Sequence, residues 1–339
     1  MSSKSLIPYN PFDKGDFHLD RCYINGTPID PRTDLLPVFP EWLQERFELK
    51  DQTVTLMSGK KLAYKDLRLP VGKEAREGGI DYLQRAIGDL LAAGFEAFKW
   101  LKPEMLYQWL NWVFQGILYY EMQEAMREKN MRNAFLLQES YQQRFKLMHL
   151  ALASATRPVE FVNFDPGSVF VVQSHAYENP RANYDLKVST NTLAMSIRIG
   201  ELSIMTSLLD NGSQMSFFEQ YFRNFDGVVL HPIQVDELFA KLSYKTWLMN
   251  PVFDYGIAWP DEADPTTFVT LKIQDDKKEE EAFRPWEDGV YGTVLQSFLQ
   301  PYGFPADEIY TKKGQVITFL EKQGGGVRKF DALFTEVKA

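Results

Sequence analysis

Met105–Met122 reads MLYQWLNWVFQGILYYEM, and three structures compete for it. They are a membrane span, an aromatic platform for a flat ligand, and the inside of a helical bundle. A span needs ~20 predominantly apolar residues, whereas Glu104 and Glu121 bracket only 16 positions here. Gln108, Asn111 and Gln115 recur at spacings of three and four, which predicts a wet stripe along one helix face. A helix lying on a bilayer shares such a stripe but carries positive charge on it. None is present. Trp109 and Trp112 are the candidate ligand-binding residues of the stretch, since a flat ligand would stack on them. Aromatics at core spacing are nevertheless read as core. The stretch is read as packed helix.

Working outward, Leu83, Ile87, Leu90, Gly94, Ala97 and Leu101 form a preceding amphipathic seam. Pro103 suits the first turn of the central helix. Leu137, Tyr141, Phe145, Met148 and Leu152 continue the pattern beyond it. REKNMRN at 127–133 holds no strong breaker, so the second and third helices could form one rod.

Before this region, prolines at 8, 11, 28, 31, 37 and 40 exclude long helix. Hairpins are predicted at Asn25-Gly26 and Ser58-Gly59. Asn25-Gly26-Thr27 and Asn211-Gly212-Ser213 match the glycosylation pattern, but without an export signal they are read as turns. After Thr156 the apolar period switches to two. VEFVNF, SVFVVQSHAYE, YDLKVST, LAMSIRI and LSIMTSLL predict an antiparallel sheet of four or five strands, with a two-residue turn at Gly200-Glu201. SFFEQYFRN, residues 234–249 and VYGTVLQSFL are read as helices. GVVLHPI, TTFVTLKI, QVITFLEK and RKFDALFTEV are read as strands, and DDKKEEE as a solvated loop. The expected fold class is α+β: an amphipathic helical bundle subdomain plus a mainly antiparallel β-sheet with packed helices. Its expected divisions are a Pro- and aromatic-rich arm with short hairpins (1–78), a helical subdomain (79–157) and an α+β sheet domain (158–339).

The 339 residues are 45% hydrophobic and 24% charged, the mixture of an ordinary globular chain. One cysteine, Cys22, excludes an internal disulfide framework and a Cys-rich zinc site. A net charge of −9 disfavours nonspecific nucleic-acid binding and adsorption to anionic membranes. The first thirty residues lack a signal-peptide pattern, which predicts a soluble, cytoplasmic chain.

Chemistry is sparse. His18, His149, His175 and His231 are scattered without zinc-ligand spacing, and no nucleophile elbow, Walker loop or dinucleotide fingerprint occurs. GGGVRK offers Arg328 and Lys329 to an anion, but strand signals rather than a helix flank it. Asp165, Asp185 and Lys187 fit the pattern of Mg²⁺-dependent nucleases or phosphodiesterases, in which two carboxylates hold the ion and a lysine orients water. The primary expectation is a protein–protein interaction or assembly protein, without cofactor, that engages another protein or copies of itself through residues 1–50. The alternatives are the nuclease, with Mg²⁺ held by Asp165 and Asp185 and with Lys187 beside them, and a small-ligand sensor. For the first, catalysis is not expected.

Overall fold

The computed structural model describes residues 7–13, 15, 17–98, 101–128, 134–311, 314–322 and 326–329. Within these the chain divides into two compact units. Residues 7–166 with 255–272 form the first, and 167–254 with 273–329 the second. The fold is mixed α+β, with small, mostly antiparallel sheets and helices.

The first unit starts with short pieces: β1 (Leu35–Pro37), α1 (Glu41–Arg46), β2 (Thr53–Thr55), β3 (Lys61–Ala63), β4 (Arg68–Pro70) and α2 (Lys73–Ala75). β1 pairs with β4, and β2 with β3 around Gly59 at φ 88°. At Asn25-Gly26 the hairpin is reduced to one antiparallel bridge, Arg21 to Pro28. Then come α3 (Asp81–Ala93), α4 (Phe95–Phe98), α5 (Pro103–Glu128), α6 (Glu139–Ala153) and β5 (Val159–Val162). The seam expected to run from Leu83 to Leu101 is broken at Gly94, whose φ of 89° caps α3. α6 starts afresh after extended Gln138, preceded by a 3₁₀ turn over Ala134–Leu137, so it is no continuation of α5. Residues 129–133 of the expected linker lie outside the described residues.

α5 is core, as its aromatics predict: Trp109 and Trp112 are both 0% exposed. The expected wet stripe is not wet. Asn111 and Gln115 are fully buried, and their amides donate to the Met148 carbonyl of α6 at 2.8 and 3.0 Å. Gln115 also donates to Asn111 Oδ1 at 2.8 Å and accepts from the Tyr23 hydroxyl at 2.9 Å. Gln108 donates to Ser154 Oγ. Buried amides are tolerated because each finds partners. Phe12, Phe17, Tyr23, Val38 and Phe39 of the leading segment are buried too. Phe12 packs against Phe145, Tyr23 against Tyr119, and the Val38 carbonyl accepts from the Trp112 indole at 2.9 Å. Among the described residues no helix is long and apolar enough to cross a membrane.

The second unit is built on β6 (Ser168–Gln173), β7 (Tyr184–Ser189), β8 (Ala194–Ile199) and β9 (Leu202–Ser207), an antiparallel sheet in the order β6-β9-β8-β7. Gly200, at φ 68°, lets β8 and β9 turn in two residues, with Ile199 opposite Leu202. α7 (Ser213–Arg223) and α8 (Pro232–Trp247) follow. Phe218, Phe222, Val235, Leu238, Phe239 and Leu242 from these helices join Phe170, Val172 and Met205 in one apolar cluster. GVVLHPI forms only a bridge, Leu230 to Ser174, not a strand.

β10 (Phe253–Ala258) and β11 (Thr267–Ile273) come next. β5 was expected in the antiparallel sheet. It instead pairs in parallel with β11, Val159 opposite Thr267, and β10 flanks β11 on its other side. α9 (Asp288–Leu299) ends ahead of Pro301 and packs Tyr291, Leu295 and Leu299 against the α8 side chains Ala240 and Tyr244. QVITFLEK forms isolated bridges rather than a strand. Residues 330–337 of RKFDALFTEV, like Gly324 and Gly325, lie outside the described residues.

Candidate functional site

α8 organises the polar chemistry of the second unit. Pro232 occupies its first turn, where a missing N–H is harmless. His231 caps it: Nδ1 accepts from Ile233 N at 3.1 Å, while the His231 backbone N–H donates to Gln234 Oε1 at 2.9 Å. That cap needs an unprotonated Nδ1, and burial, with His175 and Arg198 nearby, lowers the His231 pKa to about 4. The helix then carries two adjacent acids inward, Asp236 and Glu237, both buried. A buried carboxylate is expensive unless paired, and both are paired.

Asp236 Oδ1 lies 2.8 Å from Lys187 Nζ, and its Oδ2 accepts from the Tyr302 hydroxyl at 2.7 Å. The same ammonium bonds Asp185. Burial works against the charge on Lys187, but the carboxylates of Asp236 and Asp185 outweigh it and hold its pKa above the ordinary lysine value. For Asp236 burial wins and raises the pKa despite Lys187. Glu237 accepts from Thr318 Oγ1 at 2.7 Å and Phe319 N at 2.6 Å, with Lys241 Nζ at 3.7 Å. Burial raises it as well.

The residues singled out by the nuclease pattern are therefore distributed as follows. Asp185 and Lys187 share one face of β7, as alternate strand residues should, and they bond each other. Their third partner is Asp236, which nothing in the sequence pattern singled out. Asp165 is an exposed residue of the turn after β5 and belongs to the first unit. The space between Asp185 and Asp236, where a cation would sit, holds the Lys187 ammonium. Among the described residues no group of three or more His, Cys, Asp or Glu side chains is placed to hold a metal ion. His149 is buried, with Nε2 2.7 Å from the Tyr23 carbonyl, and His175 packs edge-on to Tyr177. Trp109 and Trp112 sit inside the first unit. Arg328 donates from Nε to the Glu321 carbonyl at 2.9 Å, and Lys329 is exposed.

Two further features of the second unit went unread in the sequence. One is a face on which cations lie over aromatic rings. Lys245 Nζ is 3.8 Å from the Phe217 ring centre and 4.1 Å from that of Phe283. The Arg284 guanidinium is 4.2 Å from the Trp247 ring and donates to the Trp247 carbonyl. Phe217 and Trp247 are nevertheless 54% and 46% exposed. The second is a cleft of about 590 Å³ lined by residues including Lys241, Trp286, Tyr291, Thr318 and Arg328. The available signals were Lys241 and Lys245, one helical turn apart on a largely apolar helix, and the tripeptide Arg284-Pro285-Trp286. Neither matches a motif with a fixed chemistry.

Compared with protein-family models, curated proteins and solved structures, the chain matches none.

Proposed function

We propose that this chain is a protein–protein interaction or assembly protein and that it engages its partner through the aromatic and cationic face around the C-terminal end of α8. One observation carries this reading: Phe217 and Trp247 stay about half exposed while Lys245 and Arg284 lie over their rings. Scattered exposed apolar residues need no explanation, but Trp, Phe and Arg side chains clustered together are the composition of interface anchors. Aromatic rings lose little conformational entropy on docking. The leading segment supplies less of such a surface than its composition promised, because Phe12, Phe17, Tyr23, Val38 and Phe39 are used inside the first unit. Burial opposes the charge on Lys245 and lowers its pKa. A partner carboxylate beside it would restore what water no longer provides, so the partner segment is expected to combine acidic and aromatic side chains.

A photo-crosslinking residue at position 217, introduced in the native host, tests the reading. We expect one discrete adduct, with another protein or a second copy, that disappears when Trp247→Ala and Arg284→Glu are combined. Both positions are exposed, so the fold should persist, as circular dichroism will show. No adduct, or one indifferent to these substitutions, sinks the proposal.

A further inference from the structure

We propose that the cleft formed by α8, α9 and the chain around Thr318 and Arg328 binds a small organic anion that carries a flat ring. Its volume, about 590 Å³, lies within the roughly 300–1,000 Å³ typical of small-molecule sites. The ligand-directed observation is Tyr291, which lines the cleft, is buried, and has a hydroxyl without a hydrogen-bond partner among the described residues. Buried hydroxyls are ordinarily satisfied, so an acceptor atom entering the cleft would complete this one.

The ring is assigned to Trp286. Its indole is half-buried and fixed: Nε1 donates to Asp288 Oδ1 at 3.0 Å, and the ring packs against Tyr244 and Tyr291 with centroids 4.6 and 4.9 Å away. A fixed π surface beside polar groups suits a flat ligand.

The anionic group is assigned to Lys322. Lys241 is already balanced, since it lies near Glu237 and over the Tyr291 ring at 4.9 Å. Lys322 is exposed and has no ion-pair partner among the described residues, whereas the Arg328 guanidinium is engaged by its bond to the Glu321 carbonyl. Glu321 and Asp288 line the same cleft. Their charges disfavour a polyanion and leave room for one carboxylate or phosphate.

An aromatic carboxylate and a nucleoside monophosphate share this chemistry, and calorimetric titration of the intact chain separates them. The probes are indole-3-acetate, 5′-AMP, adenosine and inorganic phosphate. One of the two ring-bearing anions is expected to bind with a Kd below about 100 µM, and adenosine and phosphate at least about tenfold more weakly. Lys322→Glu should weaken the bound anion by about tenfold. Tyr291→Phe should weaken it about fivefold while leaving the melting temperature of the free protein unchanged or raised, because the hydroxyl removed is unpaired there. Failure of both ring-bearing anions to bind below about 1 mM overturns the proposal. So does binding that ignores Lys322→Glu, or a lowered melting temperature in Tyr291→Phe, which would show that the hydroxyl has a structural partner. None of these outcomes bears on the crosslink at position 217.

Discussion

Asp210 is the residue at which burial and charge conflict most sharply. It lies just ahead of α7 and is fully buried. One oxygen accepts from Ser168 Oγ at 2.7 Å and Gln214 N at 2.8 Å, while Oδ1 has no partner among the described residues. Burial raises its pKa to about 6 even against those donors. The folded chain therefore holds this proton more tightly than the unfolded chain, whose carboxyl titrates near 3.8. The resulting stabilisation is fully present below pH 3.8 and is lost as pH rises through 6. Asp210→Asn removes that titration. Relative to the native chain, the variant should gain on the order of 3 kcal/mol between pH 4 and pH 7. Urea unfolding at several pH values will show it. A stability difference that stays flat with pH would falsify the assignment. Gln214 Oε1 is likewise buried without a partner, so the new amide also brings donors to a region short of them. In the sequence Asp210 reads only as the start of a turn, Asp-Asn-Gly. Its burial is decided by the sheet and helix packed around it, which no local pattern encodes.

At the scale of elements, the leading segment and α5 behave as one body. The segment was expected to engage another protein or copies of the chain. In the structure its rings complete the helical core, and the Val38 carbonyl satisfies the Trp112 indole. Burying one such side chain stabilises by about 1.5–3 kcal/mol. Losing five is comparable to the whole of the roughly 5–15 kcal/mol by which a domain is stable. Deleting residues 1–40 should therefore unfold the first unit rather than merely weaken an association. Loss of cooperative melting and of helical circular dichroism is the expected result, and a native-like spectrum would refute it. The existence of α5, α6 and the β6–β9 sheet was legible because their apolar periods of 3.6 and 2 run for several turns or residues. The dry setting of Asn111 and Gln115 was not. An amide stripe has the same period whether it meets water or a neighbouring helix carbonyl, and only the packing of α6 decides between them. Gly94 shows the same limit: its spacing fits the seam, yet its positive φ ends the helix.

Over the whole molecule, the path of the chain matters more than any one motif. Residues 255–272 return to the first unit and place β11 beside β5, a parallel pairing between distant segments that hydrophobic alternation cannot announce. The candidate site was half legible for the same reason. Asp185 and Lys187 share a strand, so their spacing exposed them, whereas Asp236 and Tyr302 reach Lys187 only through the tertiary fold. The second unit is likewise assembled from segments before and after that return. Ala240, Tyr244 and Leu248 pack with Tyr291, Leu295, Leu299, Ile309 and Phe319, so this cluster, not chain continuity, should hold the final segment in place. Lys277 and Lys278 lie exposed between the two contributions, which makes them suitable for a trypsin nick. A chain cleaved there should elute as one species in native buffer and keep its circular dichroism, because many buried apolar groups must be exposed before the pieces part. Only denaturant should separate them. If the segment beyond residue 278 leaves under native conditions, the packing of α9 on α8 is too weak to support either the ligand cleft or the aromatic face.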